Sequence, residues 1–142
     1  NFTAKQINAL KKLLKILVIT YKINYRNILG HSDIAPARKI DPGEKFPWKF
    51  FSKFRLALWH NLNEKKIKKL RLIKLTEIEK KLFFNIIKKI GYKKMKNSGK
   101  NDQKILIKAF QRRFRQSLVN GILDKECLII GKNLIKIINN KC

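Results

Sequence analysis

The chain has 142 residues, 35 basic against 9 acidic, for a net charge of +26, and 44% of its residues are hydrophobic. That apolar share is enough for a core and excludes wholesale disorder, while no run of 18 or more apolar residues is present to cross a bilayer. Two cysteines, Cys127 and Cys142, cannot build a disulfide framework.

A charge of this size is the footprint expected for a polyanion partner such as nucleic acid, but the composition offers a plainer source. Lys outnumbers Arg 28 to 7, and Lys, Ile and Asn together make up 62 of the 142 residues, the types that AT-rich codons supply. The basic residues are spread along the whole chain, with no zinc finger or aromatic RNA-binding signature among them, so no specific nucleic-acid partner is expected.

Thr3-Ala4-Lys5-Gln6 has the form of a capping box. Ile7, Leu10, Leu14, Leu17, Val18 and Tyr21 follow at helical spacing and predict a helix to about Tyr21 whose apolar stripe covers a sheet. Asn24 to Asn27 reads as a turn, and Ile28-Leu29-Gly30 as a short buried strand ending at His31, the kind of strand end at which sheets of this type place their chemistry. From Trp48 to about Leu62 a second helix is expected, bearing Phe50, Phe51, Phe54, Leu58 and Trp59, most of them as core. His60 falls at the end of that helix and is expected as a surface or helix-terminal histidine and not as a metal ligand.

Asn63 to Lys74 is a charge-rich connector and marks a boundary. Beyond it, Thr76-Glu77-Ile78-Glu79 starts a helix with Leu82, Phe83, Ile86, Ile87 and Ile90 on one face, stopped by Gly91. A loop containing Asn97-Ser98-Gly99 leads to a helix with Ile105, Leu106, Ala109, Phe110 and Phe114. Gly121 opens a turn, and a third helix from about Asp124 carries Leu128, Ile129, Leu134, Ile135 and Ile138, with Gly131 weakening its middle. Cys127 is expected to be a buried small residue and Cys142 a mobile terminal one.

The stretch from Gly30 to Trp48, Gly-His-Ser-Asp-Ile-Ala-Pro-Ala-Arg-Lys-Ile-Asp-Pro-Gly-Glu-Lys-Phe-Pro-Trp, carries the chemistry. It sets His31, Lys39 and Asp41 on one loop stiffened by Pro36, Pro42 and Pro47. Imidazole and carboxylate are both ligands for a divalent metal, so His31 and Asp41 are candidate metal ligands and Lys39 a cation placed to reach what the metal holds.

This stretch resembles the pattern GHSDIAPxRKxDPGxxFxW of the zinc-dependent N-acetylmuramoyl-L-alanine amidases of bacteria, at nearly every specified position. The resemblance implies that His31 and Asp41 bind Zn2+ and that Lys39 is catalytic, in hydrolysis of the amide between muramic acid and L-alanine of peptidoglycan. It also implies a further histidine ligand and a glutamate base on earlier strands. The thirty residues before His31 contain no His, Asp or Glu, so the chain is expected to be N-terminally incomplete, and a non-catalytic peptidoglycan-binding remnant is the alternative.

Ile90-Gly91-Tyr92, Ala109-Phe110-Gln111-Arg112-Arg113-Phe114-Arg115 and Gly121-Ile122-Leu123-Asp124 resemble the three-helix peptidoglycan-binding module found after such amidases, with Cys127 where that family commonly has Thr. The implied architecture is mainly α: a truncated α/β amidase core with a mixed sheet over 1–63, a linker over 64–75 and the three-helix unit over 76–142. Phe110 and Phe114 are expected as core, and Gln111 and Arg115 as candidate substrate-binding residues. The implied partner is peptidoglycan or its muropeptides, the implied state a monomer, and the implied location the periplasmic side of a bacterial cell envelope, where a basic surface would suit wall carboxylates.

Overall fold

Thr3 opens the first helix as the sequence predicts. In the computed structural model, which describes residues 2–93 and 99–140, α1 runs Ala4–Tyr21, with the Thr3 hydroxyl accepting from Gln6 N–H and the Gln6 side chain accepting from Thr3 N–H. The loop residues Asn97 and Ser98, and Cys142, lie outside the described residues.

The apolar stripe of α1 does not cover a sheet. Ile7, Leu10, Leu14 and Val18 pack on a cluster made of Phe46, Trp48, Phe51, Leu56 and Ala57, and Leu13, Ile16 and Ile19 on its other side remain exposed. Among the described residues there is no strand, only an isolated antiparallel bridge between Lys74 and Asp124. The expected mixed-sheet core is therefore absent from this fold, which is all-helical. Ile28 and Gly30 do adopt extended dihedrals, but an extended segment becomes a strand only with a neighbour to share its backbone hydrogen bonds. Here the Ile28 carbonyl accepts instead from the Arg113 guanidinium, at 3.1 Å.

The helix expected from Trp48 to Leu62 is cut to one turn and a half, α3 at Trp48–Ser52, after the single turn of α2 at His31–Ile34. Arg55 has a φ of +55°, which ends helical propagation. Leu56, Ala57 and Leu58 are then all buried. Three successive residues point to different sides of a helix and cannot share one buried face, so an irregular path buries them: Leu56 and Ala57 join the α1 cluster, and Leu58 joins the second core.

That second core is built by α5 (Glu77–Ile90), α6 (Lys100–Phe114) and α7 (Lys125–Asn139). Phe83, Phe110, Leu128 and Leu134 are fully buried in it, and Phe83 meets Phe110 edge-on at 5.1 Å. Gly131, which weakens α7 as an isolated helix, allows α5 to approach: a Cβ there would stand 3.0 Å from Ile86 Cγ2. The connecting segment is folded onto this core, through α4 (Glu64–Ile67), a 3-10 turn over Lys68–Leu72, and the buried Ile67 and Leu75. Cys127 is buried in the same core, and burial pushes its thiol up to about 12, far from a thiolate nucleophile.

His60 is buried, not at the surface. Its Nε2 faces the Phe114 carbonyl oxygen at 3.2 Å. A carbonyl only accepts, so the neutral ring carries its proton on Nε2, and Nδ1 is left enclosed without a protein partner. Burial lowers the pKa of His60. Because its folded value lies below its unfolded one, the unfolded state takes up the proton first as pH falls. The melting temperature should therefore drop on acidification through the ordinary histidine range, from about pH 7 downward, and His60→Gln, which keeps an N–H for Phe114, should flatten that dependence in a pH series of thermal melts.

Candidate metal centre

Gly30 is the pivot of the motif loop. Its backbone, at φ −90°, is open to any residue, but its Cα is pressed against two rings. A Cβ would lie 2.5 Å from Pro42 Cδ and 3.3 Å from Trp48 Cζ2. Both groups are rigid, so Gly30→Ala should part the two ends of the loop at a cost of about 1–3 kcal/mol, measurable by urea unfolding.

From this pivot α2 starts with His31. Asp33 Oδ2 reaches back to accept from Gly30 N–H at 2.8 Å, and Ser32 N–H donates to the Asp41 carbonyl at 3.0 Å, so the two ends of the loop meet. The result brings His31 Nδ1 against Asp41 Oδ2, with both side chains exposed. The contact with His31 holds the Asp41 carboxyl below its usual range, and Lys39 adds to this through its charge. Thus His31 and Asp41 meet in solvent, and Lys39, also exposed, is near enough to act on Asp41 through its charge.

An imidazole nitrogen and a carboxylate oxygen in contact are a donor pair suited to zinc in type. They fall short in number, since hydrolytic zinc takes three protein ligands. Among the described residues no group of three or more His, Cys, Asp or Glu side chains is close enough to hold a metal, and His60 is committed to the Phe114 carbonyl.

An open groove of about 480 Å³ passes beside the loop, lined by Ile7, Asn8, Lys45, Pro47 and Phe50 among others. Phe50 alone of the α3 aromatics faces it; Trp48 and Phe51 are buried core.

The other two candidate residues lie elsewhere. Gln111 is buried, donating to the Ile122 carbonyl at 2.9 Å and accepting from Gly121 N–H at 2.8 Å. Arg115, also buried, pairs with Asp124 and with Glu126, and donates to Asn120 Oδ1 at 3.2 Å. Both hold the turn that leads into α7, and no substrate contact is assigned to them.

Sequence reasoning missed the group that holds the loop from behind. Asp33 Oδ1 accepts from the Tyr92 hydroxyl at 2.9 Å, and Asp33 Oδ2 from Arg113 Nη1 at 3.3 Å. Burial, with the Asp33 charge beside it, drives the Tyr92 hydroxyl well above its usual range. The available signal was an aspartate inside the loop pattern with no catalytic or ligand role of its own.

Residues 1–44 match the family described as N-acetylmuramoyl-L-alanine amidase. The chain is 30% identical to the N-acetylmuramoyl-L-alanine amidase AmiD of Escherichia coli over 135 residues, 95% of this chain and 49% of the relative. Over 48 residues, 33% of this chain and 26% of the relative, it is 46% identical to the 1,6-anhydro-N-acetylmuramyl-L-alanine amidase AmpD of Haemophilus influenzae. Among solved structures it superimposes on AmiD of E. coli in complex with the substrate anhydro-N-acetylmuramic acid-L-Ala-D-gamma-Glu-L-Lys, with a TM-score of 0.83 at 28% identity, covering 99% of this chain and 55% of that one. AmpDh3 of Pseudomonas aeruginosa in complex with anhydromuramic pentapeptide gives a TM-score of 0.81 at 28% identity, covering 97% and 55%. The chain spans about half the length of AmiD. The chain is thus similar to the N-acetylmuramoyl-L-alanine amidase family over residues 1–44 and, along nearly its whole length, to about half of AmiD.

Proposed function

We propose that the chain acts as part of a zinc-dependent N-acetylmuramoyl-L-alanine amidase that cleaves the amide between muramic acid and L-alanine in muropeptides of a bacterial cell envelope. The observation that supports this reading is the contact of His31 with Asp41 beside Lys39, on a loop that falls largely within the matched family segment. His31 and Asp41 would be two of the ligands of a bound zinc, which would supply an activated water for attack on an amide near neutral pH. The remaining work falls to the protein. The exposed His31 and Asp41 would meet a large substrate, and the Lys39 ammonium would stabilise negative charge growing on the carbonyl oxygen. Residues 76–142 are read as a peptidoglycan-binding unit that raises the local substrate concentration by tethering.

Among the described residues two donors are in contact, short of the three that hydrolytic zinc takes, and this favours one second reading, a peptidoglycan-binding chain without catalysis. Metal analysis after dialysis, together with hydrolysis of an anhydromuropeptide by the zinc-loaded chain, separates the two. Retained zinc with release of the peptide supports the amidase; wall binding without either supports the second reading.

A further inference from the structure

The metal-ligand loop is not anchored by its own segment alone. Arg113, on α6, has a side chain only 1% exposed, and it touches the loop at three places. Nη1 donates to Asp33 Oδ2 at 3.3 Å, Nη2 donates to the Ile28 carbonyl at 3.1 Å, and the guanidinium lies 3.3 Å from the centre of the Trp48 ring. Those contacts fall just before His31, just after it and at the far end of the motif. Tyr92, which follows α5, adds its hydroxyl to Asp33. Gln116, just past α6, donates to the Phe46 carbonyl at 2.6 Å. Asp33 is the junction: one carboxylate receives Gly30 N–H, the Tyr92 hydroxyl and the Arg113 guanidinium.

We propose that Arg113 and Tyr92 are positioning residues for the metal centre, so that the C-terminal helical unit is part of the scaffold of the His31–Asp41 loop and not a separable attachment. The planar guanidinium has a fixed fork, and fixing Ile28 O and Asp33 Oδ2 with one fork fixes the backbone between them, on which His31 sits. Arg113 and Tyr92 act on the backbone that carries His31 and not on the imidazole itself, and a ligand's direction follows its backbone as well as the hydrogen bonds to its ring. The metal half of the inference rests on the amidase reading; the clamp itself does not.

The test uses the full chain with two mild variants. Tyr92→Phe removes one hydroxyl, and Arg113→Lys keeps the charge and loses the fork. Zinc affinity is read by competition with a chromophoric chelator. Hydrogen–deuterium exchange at Gly30 and Ser32 is read in metal-free protein. Both variants should raise the zinc Kd about tenfold and speed loop exchange by a comparable factor, with the amides of α5 and α7 unchanged. Ile87→Val, a methylene lost from the same helical core, should lower the melting temperature and move neither reading. Wild-type affinity and wild-type loop exchange in both variants, with only the melting temperature reduced, would overturn the proposal. If the wild type binds no zinc while the variants still speed loop exchange, the metal reading fails and the clamp stands.

Discussion

Arg115→Met should destabilise the fold by about 3–5 kcal/mol, the cost of breaking a buried pair by removing one partner. Arg115, Asp124 and Glu126 have side chains 1%, 5% and 2% exposed. Two buried carboxylates are balanced by two guanidiniums, with Arg71 reaching Glu126 from the surface side. Taking Arg115 away leaves Asp124 without its cation, since Arg71 pairs with Glu126. Asp124 also caps α7 through Cys127 N–H at 3.0 Å, so the loss would be felt at the helix start. For a chain of this size the change is a drop of roughly 10–20 °C in melting temperature. The double variant Arg115→Met, Asp124→Asn should recover part of it, because the uncompensated charge goes too. Loss of muropeptide binding at unchanged stability would instead return Arg115 to the role of a ligand contact.

The contrast between Arg115 and His31 shows what the sequence could carry. The α1 capping box and stripe, the starts of α5 and α7, and the cores around Phe83, Phe110 and Leu128 are local: each depends on spacing of three or four residues, and each appears where the pattern puts it. The motif loop was legible because its residues are consecutive. Arg113 reaches Asp33 across 80 positions and Arg71 reaches Glu126 across 55, and no period records such pairings. An arginine next to a phenylalanine in a polar-looking run reads as surface, and here Arg113 and Arg115 are among the least exposed side chains. The sheet was expected from the resemblance, with Ile28-Leu29-Gly30 as its strand; the extended dihedrals of Ile28 and Gly30 are present, but the partner of Ile28 is a side chain. His60 departs from its predicted place for a related reason: a helix-end position requires the helix to continue past Ser52, and the left-handed Arg55 breaks its path.

If the proposed amidase reading holds, Lys39→Met should lower the rate of the zinc-loaded enzyme that contains this chain by about 10²–10³, the usual loss when one donor to a developing oxyanion is removed, while its zinc content stays at the wild-type level. On the same reading, His31→Ala and Asp41→Ala should each lose the zinc itself, since each removes one of the two donors in contact. The two outcomes divide the three residues by role. A ligand holds the metal, so its removal shows in metal analysis before any substrate is added. Lys39 is exposed and sits near Asp41 only through its charge, so its removal shows in kcat, with KM little changed if it acts on the transition state and not on the bound substrate. Methionine keeps the length and the apolar stem of the lysine, which leaves the loop unchanged and isolates the ammonium. A Lys39→Met chain that loses zinc would make Lys39 a support of the site, and one that keeps both zinc and rate would remove it from the chemistry.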